Sequence, residues 1–180
     1  MKPTPHFKRE AQEAVSADPR TPPRPSVMKP QPANRILLVD DDPTVRDSLK
    51  DVLLAEGYLV ISAENGQQAV NLANEGCTDL VLLDLNMPIK GGWDTFEQLT
   101  REHPTLPIII ITARPNQIFT ALSAGAGALL EKPMDILTLL QAIKRLLAEP
   151  PEQRLARLVG KHAEFHYGRA VSQKSSSPAL

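Results

Sequence analysis

Between residues 35 and 131 the apolar residues gather into short runs, and each run stops at a polar or charged group. Ile36-Leu37-Leu38-Val39 meets Asp40-Asp41-Asp42-Pro43, and Leu80-Val81-Leu82-Leu83 meets Asp84. Ile108-Ile109-Ile110-Ile111 meets Thr112, and the segment from Gly125 to Leu130 meets Glu131-Lys132-Pro133. Short apolar runs with polar borders suit strands covered on both faces, because a strand with one wet face would alternate instead. Met87-Pro88 closes the Asp84 strand, since proline has no N–H to give a ladder. A further strand reads over Tyr58 to Ser62.

Helical spacing fills the intervals. Val45, Leu49, Val52 and Leu53 share one face of a helix that Glu56-Gly57 closes, and Asp42 before Pro43 has the form of an N-cap followed by proline at the first helical position. Gly66 to Asn74 reads as a short helix. Gly91-Gly92 reads as a flexible turn before a helix carrying Trp93, Phe96 and Leu99, which ends at His103-Pro104. A weaker helix spans Pro115 to Ala124, and Ile136, Leu137, Leu140, Ile143, Leu146 and Leu147 mark an amphipathic last helix with Asp135 near its start. Five strands alternating with five helices predict an α/β fold, a doubly wound parallel five-stranded sheet with helices on both faces.

That topology carries a chemical consequence, because every strand then ends at the same edge, where open parallel sheets bind their ligands. Asp40, Asp41, Asp84, Thr112 and Lys132 come from four segments and meet there. Taken singly, each acid is equally at home as a turn residue, and Asp42 is already explained as a cap. Capping leaves Asp40 and Asp41 unexplained.

Composition narrows the choice. Aromatics are 4% of the 180 residues, so the core is aliphatic, as a helix-covered parallel sheet requires. One cysteine, Cys77, excludes an internal disulfide framework and a cysteine zinc site, and points to a reducing cytoplasm. No apolar run has the length of a membrane span, and the N-terminus lacks a signal peptide's apolar core. The net charge of -1 conceals an acidic centre: residues 34–148 hold nine bases against fifteen acids. Such a centre disfavours nucleic acid and favours a divalent cation.

Carboxylates gathered in one place repel one another unless a cation offsets them. Oxygen ligands without His or Cys select Mg²⁺ or Ca²⁺, and a few carboxylates with positions left for water and phosphate fit Mg²⁺. Lysine supplies a movable positive charge for phosphate, threonine a neutral hydroxyl. Together these are the parts for phosphoryl transfer to an aspartate.

The set resembles the receiver domains of two-component response regulators over about Asn34 to Ala148. Leu-Val-Asp-Asp-Asp at 38–42 is similar to the family's first-strand acid pair, Asp84-Leu-Asn-Met-Pro88 to its phosphoacceptor strand and turn, Thr112-Ala113 to its fourth-strand pair, and Glu131-Lys132-Pro133 to its lysine-proline. The resemblance implies a flavodoxin-like strand order 2-1-3-4-5, Asp84 as phosphoacceptor, Asp40 and Asp41 as metal-site acids, and Asn86 as a metal ligand through its backbone carbonyl. It implies Thr112 and Lys132 as the hydroxyl and cation that meet the phosphate, Mg²⁺ as cofactor, and a cis Lys132–Pro133 bond. It implies a cytoplasmic signalling phosphoacceptor, not a turnover enzyme, served by a sensor histidine kinase or phosphotransfer protein and acting on a downstream protein, with neither nucleic acid nor membrane as partner. One position departs from the pattern: three residues before the lysine, where the family often has Tyr or Phe, stands Leu129.

Outside this core, residues 1–33 hold eight of the seventeen prolines and no apolar periodicity, and read as a disordered leader in which Met1 and Met28 are equally eligible starts. Residues 149–180 read as a tail, too short for a DNA-binding output domain, with room for a short helix at Leu155, Leu158 and Val159 before a Ser-rich disordered end. His162 and His166, spaced i, i+4 without a third ligand, read as a solvated face. Two rival functions remain. A haloacid dehalogenase-type phosphohydrolase also uses an aspartyl-phosphate and Mg²⁺, but Asn86 stands where that family resembles Asp-x-Asp. A phosphorylation-independent interaction module on the same fold would not need the full set of acids, threonine and lysine.

Overall fold

The apolar runs become the middle of a sheet in the computed structural model, which describes residues 33–87, 91–161 and 165–169. The elements run β1 (Arg35–Val39), α1 (Pro43–Ala55), β2 (Leu59–Ala63), α2 (Gly66–Asn74), β3 (Leu80–Asp84), α3 (Gly92–Glu102), β4 (Ile108–Thr112), α4 (Ile118–Ser123), β5 (Ala128–Glu131), α5 (Ile136–Ala148), α6 (Pro151–Leu158) and β6 (His166–Arg169). All residues of β3 and β4 are buried, which is what a continuous apolar run at the centre of a covered sheet predicts. Every strand pair is parallel, and the order is β2-β1-β3-β4-β5-β6.

Alternation along each strand divides the core in two. Leu37, Val39, Val81, Leu83, Ile110 and Leu129 face α2, α3 and α4, where Val70, Phe96, Leu99 and Ala121 cover them. Ile36, Leu38, Leu80, Leu82, Ile109 and Leu130 face α1 and α5, covered by Leu49, Leu53, Leu139 and Ile143. Each large aliphatic side chain so buried contributes roughly 1.5–3 kcal/mol, so the central strands set the frame on which the loops are hung.

The helix ends follow their sequence chemistry. The Asp42 carboxylate accepts from the Thr44 and Val45 N–H groups with Pro43 beginning the helix, and those backbone bonds hold its pKa below the usual carboxylate value. Asp135 caps α5 in the same manner through Thr138. Glycine closes α1, because the chain leaves the helix at Gly57 with φ 86°, a left-handed turn that a side chain would oppose. Among the described residues no helix is long and apolar enough to cross a membrane.

The sheet has one strand more than the five expected. Within 149–180 the chain forms α6, then returns along β5 as β6, pairing Ala128 with His166 and Leu129 with Tyr167. Two arginines fasten α6: Arg157 chelates Glu149, with Nη2 2.7 Å from Oε2, and Arg154 donates to the Leu146 and Thr105 carbonyls at 2.7 and 2.9 Å. Apolar periodicity misses β6 because His-Tyr-Gly-Arg has none to show. Residues 1–32 of the leader expected over 1–33, Pro88 of the turn after Asp84, His162 and the Ser-rich end lie outside the described residues.

Candidate functional site

The carboxyl edge of the sheet gathers the acids as the topology requires. Asp40 follows β1 directly and is only 2% exposed, while Asp84, the last residue of β3, is 4% exposed. Asp41, next in the chain, is exposed. One carboxylate oxygen from each of the three lies within 4.8 Å of the others. Asp40 is anchored on both sides, since its N–H donates to the Ala63 carbonyl at 3.2 Å and its Oδ1 accepts from the Asp42 N–H at 2.9 Å. Asp84 Oδ1 accepts from the Asn86 N–H at 3.1 Å.

The remaining oxygens meet a cation. Lys132 Nζ, carried just past β5, donates to Asp40 Oδ2 at 2.9 Å and to Asp84 Oδ2 at 3.0 Å. Burial pulls the lysine's pKa down, but the hydrogen bonds and charges of Asp40 and Asp84 outweigh it and hold the ammonium above its ordinary value. The Lys132–Pro133 bond is cis, as the resemblance implied. Thr112 ends β4, fully buried, and its hydroxyl oxygen accepts from the Arg114 N–H at 3.0 Å. Because Asp84 pairs with Ile111, Thr112 stands one residue beyond Asp84 on the neighbouring strand.

The donor set suits a hard divalent cation. Three carboxylates converge, histidine and cysteine take no part, and Asn86 Oδ1 is buried with no hydrogen-bond partner in the loop after Asp84. An unpaired buried oxygen beside an acid cluster is compatible with a site for a hard cation.

Two supporting residues carry no signal in the sequence. Arg46 Nη1 donates to the Asp40 carbonyl at 2.7 Å and fixes the acid's backbone, yet in the sequence it is one more charged residue on a helix. Gly92 is the clearer case. It reads as half of a flexible turn, but it is the buried first residue of α3, and a Cβ there would lie 2.4 Å from Leu85 Cα and 2.6 Å from the Asp84 carbonyl oxygen. Both are backbone atoms that cannot swing aside. Gly92→Ala is therefore expected to cost about 1–3 kcal/mol, the usual range for overpacking a tight site, measured as a lower urea midpoint at unchanged slope. An unchanged midpoint would show that α3 can withdraw from the Asp84 strand at no cost.

Comparison with known proteins places this arrangement. Residues 36–144 match the model of the response regulator receiver domain. The transcriptional regulatory protein CpxR of Escherichia coli (strain K12) is 41% identical over 116 residues, 63% of this chain and 49% of CpxR, so the chain spans about half the length of that relative. Among solved structures, a CheY-like response regulator receiver domain protein from Methanospirillum hungatei JF-1 aligns with TM-score 0.62 at 32% identity, covering 67% of this chain and 98% of that one. The response regulator TrrA from Thermotoga maritima, in complex with Mg²⁺-BeF, aligns with TM-score 0.59 at 34% identity, covering 63% and 98%.

Proposed function

Because the chain belongs to the response regulator receiver domain family, we propose that Asp84 accepts a phosphoryl group from a sensor histidine kinase or phosphotransfer protein and that the modified chain changes its binding to a downstream protein. The observation that carries this reading is the Lys132 ammonium held between Asp40 and Asp84, with Asp41 in reach of both. An Asp84 carboxylate oxygen attacks phosphorus, forming the O–P bond as the P–N bond of a donor phosphohistidine breaks, and the imidazole leaves with the bonding pair and takes up a proton. Lys132 Nζ follows the negative charge to a phosphoryl oxygen, while the Thr112 hydroxyl offers a second donor to the same group.

Asp40, Asp41, Asp84 and the Asn86 backbone carbonyl are the residues that would hold Mg²⁺, as the Mg²⁺-BeF complex of TrrA supports. When bound, the metal offsets charge on the phosphoryl oxygens. The family's signalling role makes the chain a phosphoacceptor with at most its own phosphorylation and hydrolysis to catalyse, and a kinase donor would meet it in the cytoplasm.

Asp41 separates the metal reading from a purely structural one. It is exposed and lies next to two other acids, so Asp41→Ala removes a like charge without opening the core. The variant should melt, metal-free, within about 0.5 kcal/mol of wild type or above it. Its Mg²⁺ affinity should fall at least about tenfold, the lower end of losses seen even for outer-sphere partners. Calorimetric titration with Mg²⁺ beside a thermal melt decides the point. Normal Mg²⁺ binding in a strongly destabilised variant would make Asp41 a structural residue and take it out of the metal-binding set.

A further inference from the structure

Directly beneath the site a row of side chains crosses the sheet, and β6 lengthens it to the surface. The ladders pair Val39 with Leu83, Leu83 with Ile110, Ile110 with Leu129 and Leu129 with Tyr167. Paired residues of parallel strands project to the same face, so these five stand side by side on the α2-α3-α4 face. Val39 and Leu83 are the residues immediately before Asp40 and Asp84, and Ile110 is two before Thr112. The first four are at most 1% exposed, whereas Tyr167 is 40% exposed. A displacement beginning at Asp84 or Thr112 would therefore meet close-packed aliphatic side chains before it reached one aromatic ring at the surface.

The strand bearing that ring is clamped. On its other face Gly168 is closely covered by α5 and β5, since a Cβ would lie 2.6 Å from Leu130 Cδ2 and 2.7 Å from Thr138 Cγ2 and both side-chain ends would have to shift. His166 Nδ1 lies 2.9 Å from Arg145 Nη1 of α5, and Phe165 packs against the α2-α3-α4 cluster. With α5 on one side and the core on the other, β6 follows β5 instead of floating beside it. Leu129 itself is fully buried and has no polar tip, so the first side chain in the row with a surface to present is Tyr167.

We propose that Tyr167 on β6 is the reporting residue of this receiver: phosphorylation of Asp84 shifts the Val39-Leu83-Ile110-Leu129 row and re-seats the Tyr167 ring at the surface of the sixth strand. The inference rests on Asp84 being the phosphoacceptor, and its test keeps the two apart. The sequence holds two tyrosines, and the other, Tyr58, lies buried on the opposite face of the sheet. Full-length protein carrying 3-fluorotyrosine therefore gives two ¹⁹F resonances, assigned with Tyr58→Phe. Phosphoramidate and Mg²⁺ are added, and the phosphorylated fraction is read by intact mass on the same sample.

The expected result is a second Tyr167 resonance, displaced by more than a linewidth, whose share grows with the phosphorylated fraction while Tyr58 stays in place. Gly168→Val, whose branched side chain must push Leu130 and Thr138 aside and so is expected to loosen β6, should still be phosphorylated and fold with an unmoved Tyr58 signal, but its Tyr167 resonance should be the same in both states. Complete phosphorylation with a stationary Tyr167 resonance overturns the proposal, as does a phosphorylation-dependent shift that survives Gly168→Val. Equal movement of Tyr58 overturns it too, by showing a global change. No phosphorylation at all would instead overturn the phosphoacceptor reading on which it stands.

Discussion

Asp84→Asn is expected to take up no phosphoryl group under conditions that label the wild type once per chain. The expectation starts from placement: β3 is buried along its whole length, and its last residue is the one carboxylate that it delivers to the sheet edge. There Asp84 Oδ2 meets Lys132 at 3.0 Å, and the site lies open beyond it to Asp41. Asparagine has the same shape and can still accept hydrogen bonds, so the fold is kept, but a neutral amide is a poor nucleophile. With the attacking group gone, labelling by acetyl phosphate and Mg²⁺ should fall by at least about 10²-fold, the lower end of what a positioned catalytic group contributes. Intact mass gives the extent and peptide mapping the position. Label retained in the variant at the wild-type level would move the acceptor away from Asp84.

What the sequence revealed and what it hid follow from the range of the interactions. The central strands were legible because burial on both faces requires unbroken apolar runs, and Ile108–Ile111 can scarcely be anything else. The cap at Asp42 was legible because capping is local, reaching only to Thr44 and Val45. The convergence of Asp40, Asp84, Thr112 and Lys132 was legible through topology, since parallel strands end together. Contacts made by ordinary-looking residues across long separations were not. Glu149 and Arg157 resemble surface charges in the sequence, yet they form a nearly buried pair that pins α6 to the end of α5. Gly92 resembles turn glycines, and only its distance to the Asp84 carbonyl separates it from them. The four residues of β6 form a strand because β5 offers an edge and Gly168 fits under Thr138, not because of any pattern of their own.

Lys132→Met should destabilise the metal-free protein by about 2 kcal/mol and make it depend on Mg²⁺. Methionine matches the aliphatic stem of lysine and keeps its packing, so what is lost is charge. Asp40 and Asp84 would then lie nearly buried with no cation between them. Removing one partner of a fully buried ion pair costs about 3–5 kcal/mol, and the smaller figure expected here reflects the 22% exposure of the Lys132 side chain at an open edge. A divalent cation among the same carboxylates would replace the missing charge, so saturating Mg²⁺ should raise the melting temperature of the variant more than that of wild type. For scale, ligand at a hundredfold excess over Kd contributes about 2.7 kcal/mol. The pH dependence has a definite sign. The folded-state pKa of Lys132 is raised, so the stability from its pairing is complete below the unfolded lysine value of about 10.4 and disappears as pH climbs through the folded value. The gap between wild type and Lys132→Met should therefore be constant from neutral pH to about pH 10 and close above it. Urea denaturation at several pH values, with and without Mg²⁺, measures both effects. Equal metal-free stability of the two proteins at pH 7 would mean that Lys132 does not offset the carboxylates, and the proposed phosphoryl chemistry would lose the cation on which it depends.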